Sequence, residues 1–179
     1  MVITDSYRQL NRQLHDSNPL YGISGSKYVL MVRQIIKELG TEDVLDYGCG
    51  KRTLERALGL QIANYDPCIP GLDKAPEPHD IVTCTDVLEH IEPDCLLDVI
   101  ADLHRLTKMV CFMAIHTGAA DKLLPDGRNA HLTQQGLEWW LAKVRAGGFF
   151  VRPDHVYEKK WQKFAHSELF IAAHPQEPQ

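Results

Sequence analysis

Two segments of the sequence carry acidic and glycine residues in an arrangement suited to holding a nucleoside. The turn 46–50, Asp-Tyr-Gly-Cys-Gly, follows a short apolar run, and its glycines let a ligand approach the backbone without a Cβ in the way. Asp66 stands twenty residues after Asp46, and an acid at that offset suits the two hydroxyls of a ribose. A lone Gly-x-Gly is typical of a plain tight turn, but strand, Gly-x-Gly, helix, strand and acid in this order favour a nucleoside ligand.

The same turn distinguishes between two classes of nucleoside cofactor. A dinucleotide site has the pattern G-x-G-x-x-G, so that its pyrophosphate rests on a helix N-terminus. Thr53 stands three residues after Gly50, where that pattern has its last glycine. Asp46 would repel a pyrophosphate, whereas it could organise an ammonium group. The turn therefore favours S-adenosylmethionine, which carries an amino acid rather than phosphates, over a nicotinamide dinucleotide.

Helices and strands alternate along the chain around these turns. Such alternation implies βαβ units and a mostly parallel sheet with helices on both faces. The last two strands have no helix between them, so we expect them to pair antiparallel at one edge. The predicted helices cover 5–14, 24–39, 52–58, 94–106 and 133–146, and the predicted strands cover 44–47, 60–65, 80–84, 108–115, 149–157 and 164–173.

The motifs, taken in order, resemble those of class I S-adenosylmethionine-dependent methyltransferases. Val44–Gly50 is similar to the first motif of that family, Tyr65-Asp66 to the second, and 80–91, which contains Leu-Glu-His, to the fourth-strand motif of its small-molecule branch. The segment 124–132 is similar to that of small stand-alone enzymes encoded by bacteria and phages. Arg52 departs from the family pattern, which usually has a third glycine there.

The resemblance covers about residues 43–173 and implies both a fold and a domain organisation. The fold is α/β, a Rossmann-like, doubly wound, mostly parallel sheet of seven strands with N-terminal helices. We expect residues 1–40 to form a helical lid and residues 41–179 to form the methyltransferase domain, within one compact unit. The adenine motif is the weakest, because the proline-rich segment 67–78 has lost an obvious third strand.

The resemblance also assigns the cofactor contacts. The glycine turn would hold the methionine portion and Asp66 the ribose, while the segment 84–87 would form the floor. Lys27 would meet the cofactor carboxylate, although a solvated lysine is an equally good interpretation. The candidate cofactor-binding residues are Asp46, Gly48, Cys49, Gly50, Asp66, Pro67, Cys84, Thr85, Asp86, Val87 and Lys27.

Methyl transfer to a hydroxyl is helped by a general base, and histidine suits that role near neutral pH. His90 follows the fourth-strand motif, and His131 lies in a long polar loop where substrate should enter. Asp86 is a third candidate, near the sulfonium or the incoming nucleophile. In the same loop Arg128 could clamp a carboxylate or phosphate, Asn129 could orient it and His131 could take its proton. The alternative is a structural loop in which His131 caps the next helix.

Several other site chemistries are disfavoured. Pro67-Cys68 has the residues of cytosine-carbon DNA methylation but follows the ribose-side strand. The segment 86–89 is not the Asn/Asp-Pro-Pro-aromatic tetrad of exocyclic-amino DNA methylation. A zinc site would need several Cys and His ligands clustered at short spacing, and Cys84 and His90, six residues apart, do not form such a cluster, so the sequence predicts no metal site.

Composition limits the partners and the setting. The 179 residues carry a net charge of −5, which argues against a broad nucleic-acid face, although the basic segment 159–163 could touch a phosphate backbone. The longest apolar run is too short to span a bilayer, and the polar N-terminus lacks the apolar core of a secretory signal. Five cysteines without a C-x-x-C pair favour reduced thiols, so we expect a cytoplasmic protein. We expect this protein to be a monomer or a homodimer.

The sequence thus favours an enzyme that moves a methyl group from S-adenosylmethionine to an oxygen or nitrogen of a small, polar, anionic acceptor and releases S-adenosylhomocysteine. One alternative is the same reaction on a nucleotide or nucleic-acid base. The other is a non-catalytic protein that only binds S-adenosylmethionine.

Overall fold

The computed structural model describes residues 1–160 and 166–176, and within them the chain forms five α-helices and one six-stranded sheet. The helices are α1 (Asp5–Ser17), α2 (Val29–Leu39), α3 (Thr53–Leu58), α4 (Leu96–Leu106) and α5 (Leu137–Ala146). The strands are β1 (Val44–Tyr47), β2 (Ala63–Tyr65), β3 (His79–Thr85), β4 (Thr107–His116), β5 (Val156–Lys160) and β6 (Ser167–Ala173).

The sheet has the strand order β2-β1-β3-β4-β6-β5. The first four strands pair parallel, whereas β6 pairs antiparallel with both β4 and β5. The prediction of a mostly parallel α/β sheet with an antiparallel pair at one edge is therefore confirmed. The chain passes from β1 to β2 on one side and then to β3 on the other, so the topological switch point, where such sheets bind ligands, lies between β1 and β3.

The prediction of seven strands is wrong for the described residues, which form six. The missing strand belongs to the segment 67–78, which the structure shows as turns and loop between β2 and β3. Four prolines in this segment remove backbone N–H donors that a strand needs for its ladder. The strand predicted over 149–157 also starts late, at Val156, because Pro153 begins a short 3-10 turn before it.

Apolar side chains fill both faces of the sheet. On one face α4 and α5 pack through Val99, Leu103 and Trp140, each at most 1% exposed, against buried side chains of the strands. On the other face α2 and α3 pack through Val32 and Leu54. A doubly wound core of this kind holds the strand ends rigidly, and those ends carry the site.

The N-terminal segment forms a third, smaller cluster next to the switch point. Tyr7 and Leu14 of α1 are buried in it together with Tyr21 and Cys68. The side-chain amide of Asn11 donates hydrogen bonds to the hydroxyls of Tyr7 and Tyr21, at 3.1 and 3.2 Å. These contacts place the start of the chain over the C-terminal ends of β1 and β2. In the described part of the chain, none of the helices has the length and apolar character needed to cross a bilayer.

Candidate active site

A cavity of about 610 Å³ opens at the C-terminal ends of β1, β2 and β3, beneath the N-terminal segment. Its volume is in the range of sites that hold cofactors and small molecules. Most of the predicted cofactor residues line it, as do the three candidate catalytic residues. Those lining residues are Lys27, Asp46, Gly48, Cys49, Gly50, Asp66, Pro67, Thr85, Asp86, Val87, His90 and His131.

The two glycines of the turn after β1 are required by their left-handed backbone and by close packing. Gly48 and Gly50 have φ of +77° and +50°, a region that favours glycine. A Cβ on Gly48 would lie 2.4 Å from the Val87 side chain, and one on Gly50 would lie 2.5 Å from the carbonyl oxygen of Gly22. The turn therefore fits against the β3 end on one side and against the N-terminal segment on the other.

Arg52 takes the left-handed conformation that the usual glycine of the family would take, with φ of +55°. Its guanidinium lies 2.7 Å from the Glu55 carboxylate, one turn along α3, and so it is directed to the surface.

Asp46 is the most deeply buried acid of the cavity wall. It is 2% exposed, and the Thr83 hydroxyl donates a hydrogen bond to its Oδ1 at 3.0 Å. Burial raises the pKa of Asp46 to about 7, with a further contribution from the charge of Asp66. A cationic group bound beside this carboxylate would stabilise its ionised form.

Asp66 directly follows β2, and backbone N–H groups bind both of its carboxylate oxygens. Gly50 N–H donates to Oδ2 at 3.1 Å, and Cys68 N–H donates to Oδ1 at 2.9 Å. Burial raises the pKa of this carboxyl, and the nearby His15 opposes the rise. Asp66 therefore links the glycine turn to the loop after β2 while still lining the cavity.

Asp86 follows β3 with φ of +54°, an uncommon conformation for a residue other than glycine. The Tyr28 hydroxyl lies 2.5 Å from its Oδ1 and 2.9 Å from Oε1 of Glu168, and Lys27 Nζ lies 3.8 Å from its Oδ2. In this structure Lys27 is thus directed to Asp86. Strain maintained by several surrounding contacts is typical of functional positions.

His90 and His131 lie next to each other in the lining of the cavity, with ring centroids 4.7 Å apart. Each donates its Nδ1–H to a backbone carbonyl, His90 to Ala130 at 2.8 Å and His131 to Gly118 at 2.6 Å. Since a carbonyl only accepts, both neutral rings carry their lone pair on Nε2. Burial lowers the pKa of His90 to about 3 and lowers the pKa of His131 as well. Both imidazoles are therefore neutral near pH 7.

Two of the predicted substrate residues do not line the cavity. Arg128 pairs with Asp126 at 2.8 Å on the surface. Asn129 clamps its own loop, because its amide exchanges two hydrogen bonds with the backbone of Ala120, both at 2.9 Å. Only His131 of this group reaches the cavity. The prediction of an anionic acceptor loses its main support, because it depends on Arg128.

Cys84 is another predicted contact that does not line the cavity. It is fully buried inside β3, where burial raises its thiol pKa. The alternation of side chains along a strand explains this, since Thr85 faces the cavity instead. All five cysteines are free and buried. Residues 161–163 of the basic segment lie outside the described residues.

Sequence reasoning missed several residues of the site. Glu89, wholly buried beside His90, was hidden within the Leu-Glu-His motif, and Tyr28 lies in a 3-10 turn of the N-terminal segment. His15 packs on Tyr21 with ring centroids 4.6 Å apart and lines the cavity from α1. Helical spacing in α1 marks an apolar face, but it does not indicate which strand ends that face covers.

The fold and the site together define a methyltransferase. The sequence pattern described as a methyltransferase domain matches residues 26–164, and the chain belongs to this family. The membership among class I S-adenosylmethionine-dependent methyltransferases that the motifs predict is confirmed. No curated relative matches the sequence.

Solved structures of similar fold include enzymes with small-molecule acceptors. The 1,6-didemethyltoxoflavin N1-methyltransferase of Burkholderia thailandensis, solved with 1,6-didemethyltoxoflavin and S-adenosylhomocysteine, is 16% identical with a TM-score of 0.65, over 97% of this chain and 91% of that one. The magnesium protoporphyrin IX methyltransferase of Synechocystis PCC 6803, solved with S-adenosylmethionine, is 15% identical with a TM-score of 0.64, over 94% of this chain and 97% of that one.

Proposed function

We propose that this protein binds S-adenosylmethionine in the cavity at the switch point and transfers its methyl group to an oxygen or nitrogen of a small polar acceptor. The observation that carries the proposal is the pairing of Asp46 and Asp66 across the glycine turn. The first carboxylate would bind the ammonium group of the cofactor, and the second, which follows the neighbouring strand, would bind the ribose.

Asp46 is suited to the positive end of the cofactor. Within the described residues its buried carboxyl has one side-chain hydrogen bond, from Thr83, so the protein compensates its charge poorly. The ammonium group of the methionine portion would supply the missing positive charge. Binding there gains an interaction between opposite charges in a site of low dielectric constant.

Asp66 is suited to the ribose hydroxyls. A carboxylate offers about four lone pairs, and the backbone N–H groups of Gly50 and Cys68 use two of them. One lone pair on each oxygen is left for a vicinal diol. The two backbone bonds also fix the orientation of the carboxylate, so little entropy is lost when the sugar binds.

The transfer itself needs alignment more than activation, because the sulfonium already makes the methyl group electrophilic. The acceptor atom forms a bond to the methyl carbon as the carbon–sulfur bond breaks, and neutral S-adenosylhomocysteine leaves. The protein contributes in-line positioning and exclusion of water. The acceptor also gives up a proton, and we infer that His90 and His131 promote this step, because both line the cavity. Two actions are chemically open to them, direct acceptance of the proton and binding of a cation that acidifies the acceptor.

We further propose that the acceptor is a small molecule and that residues 1–40 form a lid. The net charge of −5 opposes a polyanionic partner, and two structural neighbours carry small acceptors in their names. The lid assignment rests on the packing of Gly22 against Gly50 and of His15 and Tyr21 along the cavity. When the segment closes, Tyr28 and Lys27 would contact Asp86 and so fix its position.

Calorimetric titration with S-adenosylmethionine, S-adenosylhomocysteine and NAD tests the cofactor. We expect the first two to bind and NAD not to bind, with Asp66→Asn weakening binding at least tenfold. Asp73→Asn is the matched control, since this exposed acid accepts only a local bond from Gly71 and does not line the cavity. Binding of NAD alone, or unchanged affinity in Asp66→Asn, would contradict the proposal.

Mass spectrometry of cell extract incubated with methyl-labelled S-adenosylmethionine tests turnover. A labelled small product is expected with the wild-type chain and not with Asp46→Asn. Cofactor binding without any labelled product would favour the non-catalytic alternative, and label in nucleic acid would favour the nucleotide alternative.

A further inference from the structure

Three potential metal ligands converge beside the cavity, and two of them, His90 and His131, line it. Glu89 and His90 are adjacent in the 3-10 turn after β3, whereas His131 comes from the loop between β4 and α5. One ligand atom from each of the three lies within 4.8 Å of the other two. A set of two imidazoles and one carboxylate is a common ligand set for divalent first-row metals with open coordination positions.

The two histidines are oriented as metal-binding histidines are. A ligating imidazole almost always donates its other ring N–H to a carbonyl, a carboxylate or water, which fixes the ring and its tautomer. His90 and His131 both have this second bond, to the carbonyls of Ala130 and Gly118. In both rings the lone pair is therefore on Nε2, the nitrogen not engaged with the backbone.

Glu89 supplies a second, independent observation. It has no exposed surface, and its Oε1 accepts the backbone N–H of His116 at 2.9 Å. Its Oε2 is buried without any hydrogen-bond partner within the described residues. A buried carboxylate oxygen with no partner is costly, and a cation is one of the few groups that would satisfy it.

The loop that carries His131 is tied to the turn that carries the other two ligands. Thr133 N–H donates to the carbonyl of Glu89 at 3.0 Å, and its hydroxyl donates to the carbonyl of Ile91 at 3.4 Å. With the bond from His90 to Ala130, three hydrogen bonds hold the two segments in register. The cluster is thus a built feature rather than a chance approach of flexible side chains.

We propose that Glu89, His90 and His131 form a binding site for one divalent first-row cation, such as Mn²⁺, Fe²⁺, Co²⁺ or Zn²⁺. The sequence spacing predicts no metal site, because the third ligand is forty-one residues away in the chain and the carboxylate is not part of a Cys/His pattern. Ligands bound to one such ion lie about 3 Å apart, so the side chains need to move together by up to ~2 Å when it binds.

The charges around the cluster are mixed. Asp86 and Glu168 place negative charge near Glu89, Asp121 places negative charge near His131, and Lys122 places positive charge near His90. The ring of His116 is tilted against that of His131, with ring centroids 5.2 Å apart. The three acids favour a cation, and the lysine opposes it. Because His90 and His131 line the cavity, open coordination positions would face the space next to the cofactor.

A consequence for the reaction rests on the proposed function. A cation at this wall would coordinate an oxygen of the acceptor and lower the pKa of its hydroxyl. The proton would pass to solvent, and the oxygen would then form its bond to the methyl carbon as the carbon–sulfur bond breaks. The cation would be neither oxidised nor reduced and would remain bound to the protein.

Titration of the metal-free full chain with Mn²⁺ or Zn²⁺ alone, followed by calorimetry and, for Mn²⁺, by electron paramagnetic resonance, tests the site. We expect one ion per chain. Glu89→Gln and His131→Gln should each weaken binding at least about tenfold, a loss that removal of an outer partner of a ligand can already produce. Both substitutions preserve side-chain volume and hydrogen-bonding capacity, so the fold should persist.

His155→Ala is the matched control, because His155 and His174 form another imidazole pair, with Nδ1 and Nε2 3.0 Å apart. Metal affinity should be unchanged in this variant. No saturable binding to the wild type, or equal loss in His155→Ala, would overturn the proposal. S-adenosylhomocysteine affinity is measured on the same samples. A chain that binds this nucleoside but no metal would refute the cation site and leave the proposed methyltransferase function standing.

Discussion

The carbonyl oxygen of Gly22 lies 2.5 Å from the position that a Cβ on Gly50 would occupy. The same oxygen accepts the backbone N–H of Lys51 at 2.8 Å, so the two segments are joined by a hydrogen bond where they approach most closely. The N-terminal segment therefore helps to shape the glycine turn that lines the cavity. The position of that segment and the shape of the turn belong to one packing arrangement.

Gly50→Ala should displace the N-terminal segment. The new methyl group would meet backbone atoms of Gly22, which cannot rotate away as a side chain can. We expect a loss of more than about 2 kcal/mol in the free energy of unfolding, or increased proteolysis of residues 1–40, together with weaker binding of S-adenosylhomocysteine. Denaturant unfolding and calorimetry measure the two effects.

Gly59→Ala is the control for backbone strain. Gly59 has a similar φ of +66°, but a Cβ there would meet no atom within 4 Å. Its cost should be about 1 kcal/mol, and S-adenosylhomocysteine binding should not change. Equal effects of the two substitutions would mean that the contact between Gly22 and Gly50 has no role of its own.

The parts of the fold that local patterns specify were predictable. The apolar run of β4 and the helical spacing of α2 and α4 are strong signals. Gly40, the predicted end of α2, follows the helix in the left-handed conformation that glycine commonly adopts there. The number of strands depended instead on the segment 67–78. The family resemblance predicted a strand there, whereas the four prolines opposed one. The structure has turns and loop in this segment, as the prolines indicate.

The candidate site was predictable where it follows the strand ends and not where it depends on loop packing. Asp46, Asp66 and Asp86 lie at the strand ends that the βαβ order brings together. Arg128 and His131 are three residues apart, yet one is on the surface and the other in the cavity, because Asn129 clamps the loop between them. Sequence spacing does not encode such a clamp. The convergence of Glu89 with His131 likewise depends on contacts between distant segments.

Asp46→Asn should stabilise the free protein in a pH-dependent way. The pKa of Asp46 is raised from 3.8 to about 7 in the folded state, so the unfolded chain releases this proton at lower pH than the folded chain does. The wild type therefore loses stability as pH rises from about 4 through about 7. Asparagine has no proton to release, so the advantage of the variant should grow by up to ~4 kcal/mol over that window and level off above it.

Thermal unfolding of both proteins at pH 5 and pH 8 measures this difference, and calorimetry should find that the same variant has lost affinity for S-adenosylmethionine. A stability difference that does not change between the two pH values would show that Asp46 is not buried in the way described. The combination of greater stability and weaker binding is typical of a residue retained for function.

Arg52 offers a test of the departure from the family pattern. Its left-handed backbone costs a residue with a Cβ roughly 1 kcal/mol, which glycine avoids, while glycine loses more entropy on folding. Arg52→Gly should therefore stay within about 1 kcal/mol of the wild type in denaturant unfolding. Arg52→Val should cost at least ~1 kcal/mol, because a β-branched residue is poorly accommodated at positive φ. Equal stability of the two variants would contradict the left-handed conformation.

Tyr28→Phe should separate the positioning of Asp86 from cofactor binding. The Tyr28 hydroxyl has one proton and lies within hydrogen-bond distance of carboxylate oxygens of both Asp86 and Glu168. Without it the two acids lose the donor that they share, and the repulsion between their carboxylates is no longer relieved by that hydroxyl. Methyl transfer at saturating S-adenosylmethionine should fall several-fold, with a smaller change in cofactor affinity, because Asp86 would leave its strained conformation.

Tyr157→Phe, at a side chain 61% exposed, is the control and should leave both quantities unchanged. An equal loss in cofactor affinity and turnover would place Tyr28 in cofactor binding rather than in the alignment of Asp86.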